Sequence, residues 1–414
     1  MRRPLMIRGG RVLCFGAATP EVLDVRIGGD GRIDGIGPSL PDGDAEILAV
    51  DGQLVLPGLV DMHQHLDKSR TRALLDNPSG TLAGAAAAYR ELAPSITKEQ
   101  MIARARRTVE ACSVHGTVAI RSHTNIDPQT GVRGVEAMVA LREECAGHMR
   151  IQVVGHVTSG ATSMLPESEA WLGQAIELGI DAIGGVPAFS SEPIALLKLL
   201  FDCAERSGLP LDMHIDEHLD AGRAMFGEIA RMTKAYGMAG RVVAGHSSAL
   251  SAMAPDEAKR TIDELRDAGV GIVTLPAANL FLQGRDADRL PPRGLTRVRE
   301  LLAAGIPVAA ASDNIQDPFV PTGTGDLLEI ARWTLLAGQF GLSDLRQMFE
   351  MVSSVPAEMI GLGADWGIRK GARADLLIAR ADTIDDLVAS GALERTVMIE
   401  GRAVSSTSTK LSRP

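Results

Sequence analysis

Leu59-Val60-Asp61-Met62-His63-Gln64-His65 is a short apolar run that ends on two histidines, and seven more runs of similar length follow it. They occupy residues 118–123, 151–156, 182–186, 210–214, 242–246, 270–275 and 307–313. Amphipathic stretches with helical periodicity, at 96–112, 167–178, 221–236, 255–268 and 327–339, lie between or after them. Strand alternating with helix argues for a parallel sheet, and eight such units argue for a closed α/β barrel of the (β/α)8 TIM type. A doubly wound open sheet is the runner-up. It is weakened because no GxGxxG turn follows the first strand.

The ends of the chain read differently. Residues 5–56 and 366–405 carry short apolar runs broken by Gly, Pro and Asp, such as Val25-Arg26-Ile27 and Leu376-Leu377-Ile378. Neither end has enough strands to bury a sheet face alone, so the two are expected to pair into one small β-sandwich domain. The expected division is 1–57 and 365–405 for that domain, 58–364 for the barrel, and a flexible polar tail at 406–414.

Composition limits the ligands. A formal charge of −10 over 414 residues argues against nucleic-acid and anionic-membrane partners and leaves small molecules. The cysteines, Cys14, Cys112, Cys145 and Cys203, show no CxxC spacing and read as free thiols. The start, MRRPLMIRGG, lacks a signal-peptide apolar run, and no stretch approaches the roughly 20 apolar residues of a membrane span. A cytoplasmic location is the expectation.

Function is read from where the apolar runs stop. Five end on histidine (His65, His123, His156, His214 and His246) and the eighth ends on Asp313. In a barrel these strand ends meet at one mouth, where barrel enzymes keep their sites. His63 and His65 stand two apart on a strand and so share a face. Alone, such a pair also reads as two hydrogen-bonded structural histidines, and Glu217, three residues past His214, as an exposed loop acid. Asp313 ends a buried run and needs a partner. Taken together, three imidazoles and a carboxylate from separate strands suit one Zn or Fe ion with an open position for hydrolysis.

Val55-Leu56-Pro57-Gly58-Leu59-Val60-Asp61-Met62-His63-Gln64-His65 resembles the first-strand signature of the amidohydrolase superfamily. Further matches resemble its cytosine deaminase-like branch: His65-Leu66-Asp67, Ser79-Gly80-Thr81-Leu82, His214-Ile215-Asp216-Glu217, Phe281-Leu282-Gln283-Gly284-Arg285, Arg293-Gly294-Leu295-Thr296-Arg297-Val298 and Asp317-Pro318. The resemblance implies His63, His65, His214 and Asp313 as metal ligands, with Glu217, His246 and Asp313 as the catalytic groups. Glu217 matches the acid that shuttles a proton, and His246 a histidine that helps activate water. Relatives with two metals place a lysine or glutamate at the end of the fourth strand. Here that region reads Ala182-Ile183-Gly184-Gly185-Val186-Pro187, so one metal ion is expected. A bound divalent ion lowers the pKa of its water from 15.7 to about 7, and attack of that hydroxide on a ring carbon expels ammonia or an amine.

Substrate contacts are expected from Lys68, Leu82, Thr158, Asn314 and Phe319. Three of these depart from the cytosine deaminase pattern: Thr158 replaces a glutamine, Asn314 an aspartate and Phe319 a tryptophan, so cytosine itself is not the expected substrate. His65-Leu66-Asp67-Lys68 resembles N-isopropylammelide isopropylaminohydrolase, a triazine-processing relative. A lysine there would hold an anionic or carbonyl-rich ring, or else pair with Asp67 on the surface. Triazines, pyrimidines and pterins all remain compatible. His123 and His156 are expected to support the site from behind, and Gln283 to act as pocket wall or structural amide. The expected activity is a metal-dependent deaminase or aminohydrolase on an N-heterocycle, in a chain that assembles as a homo-oligomer as relatives often do. Alternatives from other classes are a cyclic-amide hydrolase and a barrel that binds a ligand without turnover.

Overall fold

The computed structural model describes residues 2–158, 165–285, 287–288, 292–410 and 412. Five strands come first: β1 (Leu5–Val12), β2 (Glu21–Ile27), β3 (Ile33–Gly37), β4 (Glu46–Ala49) and β5 (Leu54–Pro57). Eight follow with helices between them: β6 (Leu59–Gln64), β7 (Thr117–Ile126), β8 (Arg150–Val157), β9 (Ala182–Gly185), β10 (Leu211–Ile215), β11 (Val242–His246), β12 (Val270–Thr274) and β13 (Val308–Ala310). The chain ends with β14 (Leu376–Ala379), β15 (Arg395–Ile399) and β16 (Arg402–Thr407).

Strands β6 to β13 pair in sequence order, all parallel, which is the eight-stranded barrel expected. Strands β9 to β13 are buried along their whole length, as parallel strands covered on both faces must be. The ring closes where β6 meets the end of β13. Gln64 and Asp313 form a parallel bridge, His65 N donates to Asp313 O (2.9 Å) and Asp313 N donates to His63 O (2.8 Å). Beneath that seam Gln64 Nε2 donates to Asp61 Oδ2 and to Ser312 Oγ, both at 2.9 Å.

The covering helices follow their sequence signals. Pro255–Ala268 starts with proline, ends at Gly269 with φ of 72°, and buries Ala258, Ile262, Leu265 and Ala268 on one face. Lys98–Val114 opens with a reciprocal Thr97–Gln100 capping box.

Strands from both termini form one eight-stranded sheet, in the order β16-β15-β14-β5-β1-β2-β3 with β4 beside β1. Its own core includes Ile7, Val25, Ile27, Val55, Leu376, Ile378 and Met398. Two contacts, one largely and one fully buried, tie it to the barrel. Arg395 donates to both oxygens of Asp326 (3.0 and 2.9 Å), and Trp366 Nε1 donates to Gly58 O (3.2 Å). The final strand corrects one expectation. Ser406 and Thr407, placed in the flexible tail from their polarity, pair with Thr396 and Arg395 of β15, where an exposed edge strand accepts polar side chains. Among the described residues, no helix is long and apolar enough to cross a membrane.

Candidate active site

The mouth of the barrel is built at the carboxyl ends of its strands. β6 delivers His63 and leads into His65, β10 delivers His214, and Asp313 follows β13. Their side chains are buried and converge. His63 Nε2 and His65 Nε2 lie 3.3 and 3.0 Å from His214 Nε2, and 3.6 and 3.3 Å from Asp313 Oδ1. All four donor atoms fall within 4.8 Å of one another. Ligands about 2.0–2.1 Å from a tetrahedral centre stand about 3.3 Å apart, which is the spacing seen. Hydrogen bonding among the four does not account for it, because Asp313 Oδ1 finds no hydrogen-bond donor although it is buried. His65 Nδ1 donates to His123 O at 2.8 Å, which leaves its Nε2 lone pair directed into the cluster. Burial first, and then neighbouring imidazoles or the Lys68 charge, hold His63, His65 and His214 well below the ordinary histidine range. Neutral imidazole is the ligating form, so the donor set fits a divalent ion.

Glu217 follows β10 and is buried. Burial, and next the charge of Asp313, push its carboxyl well above the usual range. Gln283 Nε2 donates to the Glu217 carbonyl at 3.1 Å, so Gln283 acts as a structural amide under this residue. His246 ends β11. Its Nδ1 lies 3.5 Å from Glu217 Oε1 and 3.1 Å from Asn279 Nδ2, which donates to it. Burial, then His123, lowers its pKa to about 3. His246 and Asp313 both adopt left-handed backbone, at φ of 63° and 62°, uncommon for residues with side chains and typical of places where function fixes geometry.

One cavity is lined by His65, His214, Glu217, His246 and Asp313 together with Lys68, Leu82, Thr158, Asn314 and Phe319. Thr158 Oγ1 donates to Ile126 O at 3.4 Å, and Asn314 Nδ2 donates to Asp317 Oδ2 at 2.6 Å. Lys68 does not pair with Asp67 on the surface. It is buried, and its Nζ donates to Asn125 Oδ1 at 2.9 Å.

Behind the donor atoms stands a second layer. The His123 ring stacks on His63 with centroids 3.8 Å apart, and its Nε2 lies 3.4 Å from Asp212 Oδ1. Arg121 donates to the other oxygen of Asp212 at 2.9 Å. Burial raises the Asp212 pKa, but His123 and Arg121 outweigh it and hold the group below its ordinary value. His156 packs on His214 at 4.2 Å and also lines the cavity. Four contributors escaped the sequence reading: Tyr89, Asn125, Asn279 and Asp212. Two carried a signal. Asn125 stands two residues past His123 on one strand, and Tyr89 falls seven past Leu82 on the face of helix Leu82–Leu92 that the cavity uses.

Comparison with known proteins agrees with this geometry. A model of the amidohydrolase family matches residues 69–404. The chain belongs to the amidohydrolase family. As an amidohydrolase it is a hydrolase of C–N bonds. It is 31% identical to the pterin deaminase of Rhizobium rhizogenes over 383 residues, 91% of this chain and 86% of that one. It is 29% identical to the N-isopropylammelide isopropyl amidohydrolase of Pseudomonas sp. over 400 residues, 93% and 94% of the two chains. Among solved structures, the 5-methylcytosine deaminase of Klebsiella pneumoniae liganded with phosphonocytosine superposes with a TM-score of 0.91 at 27% identity, over 99% of this chain and 100% of the other. The N-isopropylammelide isopropylaminohydrolase of Burkholderia multivorans gives 0.84 at 30% identity, over 98% and 99%.

Proposed function

We propose that this amidohydrolase is a deaminase or aminohydrolase that uses one zinc or iron ion to remove an amino or alkylamino group from a small N-heterocycle. The observation that carries the reading is a single cavity lined by His65, His214, Asp313 and Glu217, beside which His63 completes the donor set, while burial pushes the Glu217 carboxyl upward. Pterin, ammelide and methylcytosine in the names of similar proteins all contain a ring carbon bearing nitrogen, which supports the substrate class. A single ion is supported by the end of β9. A Cβ added at Gly184 would stand 2.4 Å from Asp212 O and 3.2 Å from His156 Nδ1, so no bridging lysine or glutamate fits there.

His63, His65, His214 and Asp313 would hold the ion, which supplies water acidified into the neutral range. The other steps belong to the chain. Glu217, whose protonated form is favoured by burial and by the Asp313 charge, gives its proton to a ring nitrogen beside the carbon under attack. His246 accepts from Asn279 at Nδ1 and therefore carries its own proton on Nε2, available to orient the incoming water. As a carboxylate, Glu217 can then collect one proton released as water adds to the carbon and hand it to the amine, which leaves as a neutral molecule, and the second proton of that water restores the Glu217 carboxyl as the ring carbonyl forms. Lys68, Leu82, Thr158, Asn314 and Phe319 position the ring.

The test is product analysis with protein loaded separately with zinc and iron, across aminopyrimidines, aminotriazines, their N-alkyl forms and pterins. Ammonia or alkylamine from at least one of them supports the proposal. Ring opening with no amine released, or tight binding with no turnover across the panel, defeats it.

A further inference from the structure

Glu217 enters the cavity against the period of its own strand. If β10 ran on in extended form, side chains would alternate, placing His214 and Asp216 on one face and Ile215 and Glu217 on the other. Ile215 does face away and packs in the main hydrophobic core, yet His214 and Glu217 both line the cavity. The alternation breaks at Asp216, directly after β10, where the backbone is left-handed with φ of 51°. Among residues with side chains, aspartate and asparagine tolerate that conformation best.

The turn is held from several sides. Asp216 is fully buried, and its Oδ2 accepts from the backbone N–H of Met225 at 2.8 Å. That bond ties the end of β10 to the start of helix Phe226–Ala235 and closes the loop that Glu217 begins. The other oxygen, Oδ1, faces His218 Nε2 at 3.6 Å. Three successive carbonyls are pinned by neighbouring segments: Ser247 N donates to Ile215 O (3.0 Å), Ala249 N to Asp216 O (3.1 Å) and Gln283 Nε2 to Glu217 O (3.1 Å). Asp216 itself does not line the cavity.

We infer that Asp216 is the positioning residue for Glu217: its left-handed turn swings the acid onto the face that carries His214, and its carboxylate, bonded to Met225, keeps that turn from relaxing. The inference rests on the proposed function and adds to it a residue that stands outside the cavity.

Three substitutions separate the two duties. Asp216→Asn keeps the backbone preference and an oxygen for Met225, Asp216→Gly keeps only the backbone freedom, and Asp216→Ala keeps neither. With rates referred to bound zinc, kcat should stay within about threefold in Asp216→Asn, fall about 10-fold in Asp216→Gly and fall about 100-fold in Asp216→Ala, the scale of a group displaced by about 1 Å. KM should move less than about threefold throughout, because the ring contacts are intact. A purely structural role would instead lower melting temperature and zinc content and leave kcat per bound zinc unchanged. Wild-type kcat per zinc in Asp216→Ala, or a loss in Asp216→Asn as large as in Asp216→Ala, overturns the inference. If Asp216→Ala does not fold, equal kcat in Asp216→Asn and Asp216→Gly overturns it. Crystal structures give a readout that needs no substrate. The 3.5 Å approach of Glu217 Oε1 to His246 Nδ1 should persist in Asp216→Asn and lengthen in Asp216→Gly and Asp216→Ala. Should no heterocycle release an amine, the proposed function falls and that distance alone decides: a Glu217 unmoved in Asp216→Gly and Asp216→Ala overturns the inference.

Discussion

In the proposed reaction Glu217 is the proton donor, a role favoured by burial and the nearby Asp313 charge, which disfavour its ionised form. Replacing it with glutamine keeps shape and burial but removes the transferable proton. Glu217→Gln should therefore lower kcat by about 10^2- to 10^4-fold with unchanged metal content, measured by amine release alongside metal analysis. Asp313→Ala should instead lose the metal itself, since Asp313 Oδ1 faces both His63 and His65. At this scale the sequence was legible where chemistry is rare. Histidines ending strands and an aspartate ending a buried run stand out against apolar neighbours. Asn279 and Asp212 did not, because a lone amide or carboxylate carries no pattern and only the fold brings them beside His246 and His123. The left-handed backbone at His246 and Asp313 was equally hidden, since neither is a glycine.

The barrel strands were legible to within a few residues, because their buried runs are mostly apolar and most stop at a polar residue. The links between strands were not. Asp212, in the middle of β10, reads as an intrusion in an apolar run, and its reason is three-dimensional: Arg121 from β7 and the His123 ring converge on it. With Asp212 removed, Arg121 keeps a buried charge with only the neutral Gln152 amide oxygen as side-chain partner, at 2.9 Å. Asp212→Ala should destabilise the protein by about 3–5 kcal/mol in chemical denaturation, the usual cost of breaking a buried ion pair from one side. It should also weaken metal binding, because His123 stacks on His63 and its carbonyl orients His65.

For the molecule as a whole, the pairing of the two chain ends into one small β domain followed from arithmetic on strands, while its strand order did not, since β1 pairs in parallel with β4 and β5 inside an otherwise antiparallel sheet, a mixture without a sequence signature. The thiols test the packing. Burial pushes the Cys112 pKa up to about 12 and that of Cys145 to about 11, and Cys203 is also raised and buried. At pH 8 a thiol with a pKa of about 12 is ionised in only about one molecule in 10^4, so an aromatic disulfide reagent should modify Cys14 first in the native protein and reach the others only on unfolding. Stripping the ion with a chelator should lower the melting temperature, with about 4 kcal/mol lost where the free metal had stood at 1,000 times its dissociation constant.

The seam that closes the barrel is also the place where the donor atoms gather. Asp61 and Ser312, which lock it, are 251 positions apart along the chain. A ribosome must therefore add just over three quarters of the 414 residues before Asp313, the fourth proposed ligand, exists. On the proposed function, loading of the ion is accordingly a late event: the emerging chain has to rely on packing alone until its eighth barrel strand arrives, and a protein cut short before that strand would keep three imidazoles without the carboxylate that completes the set.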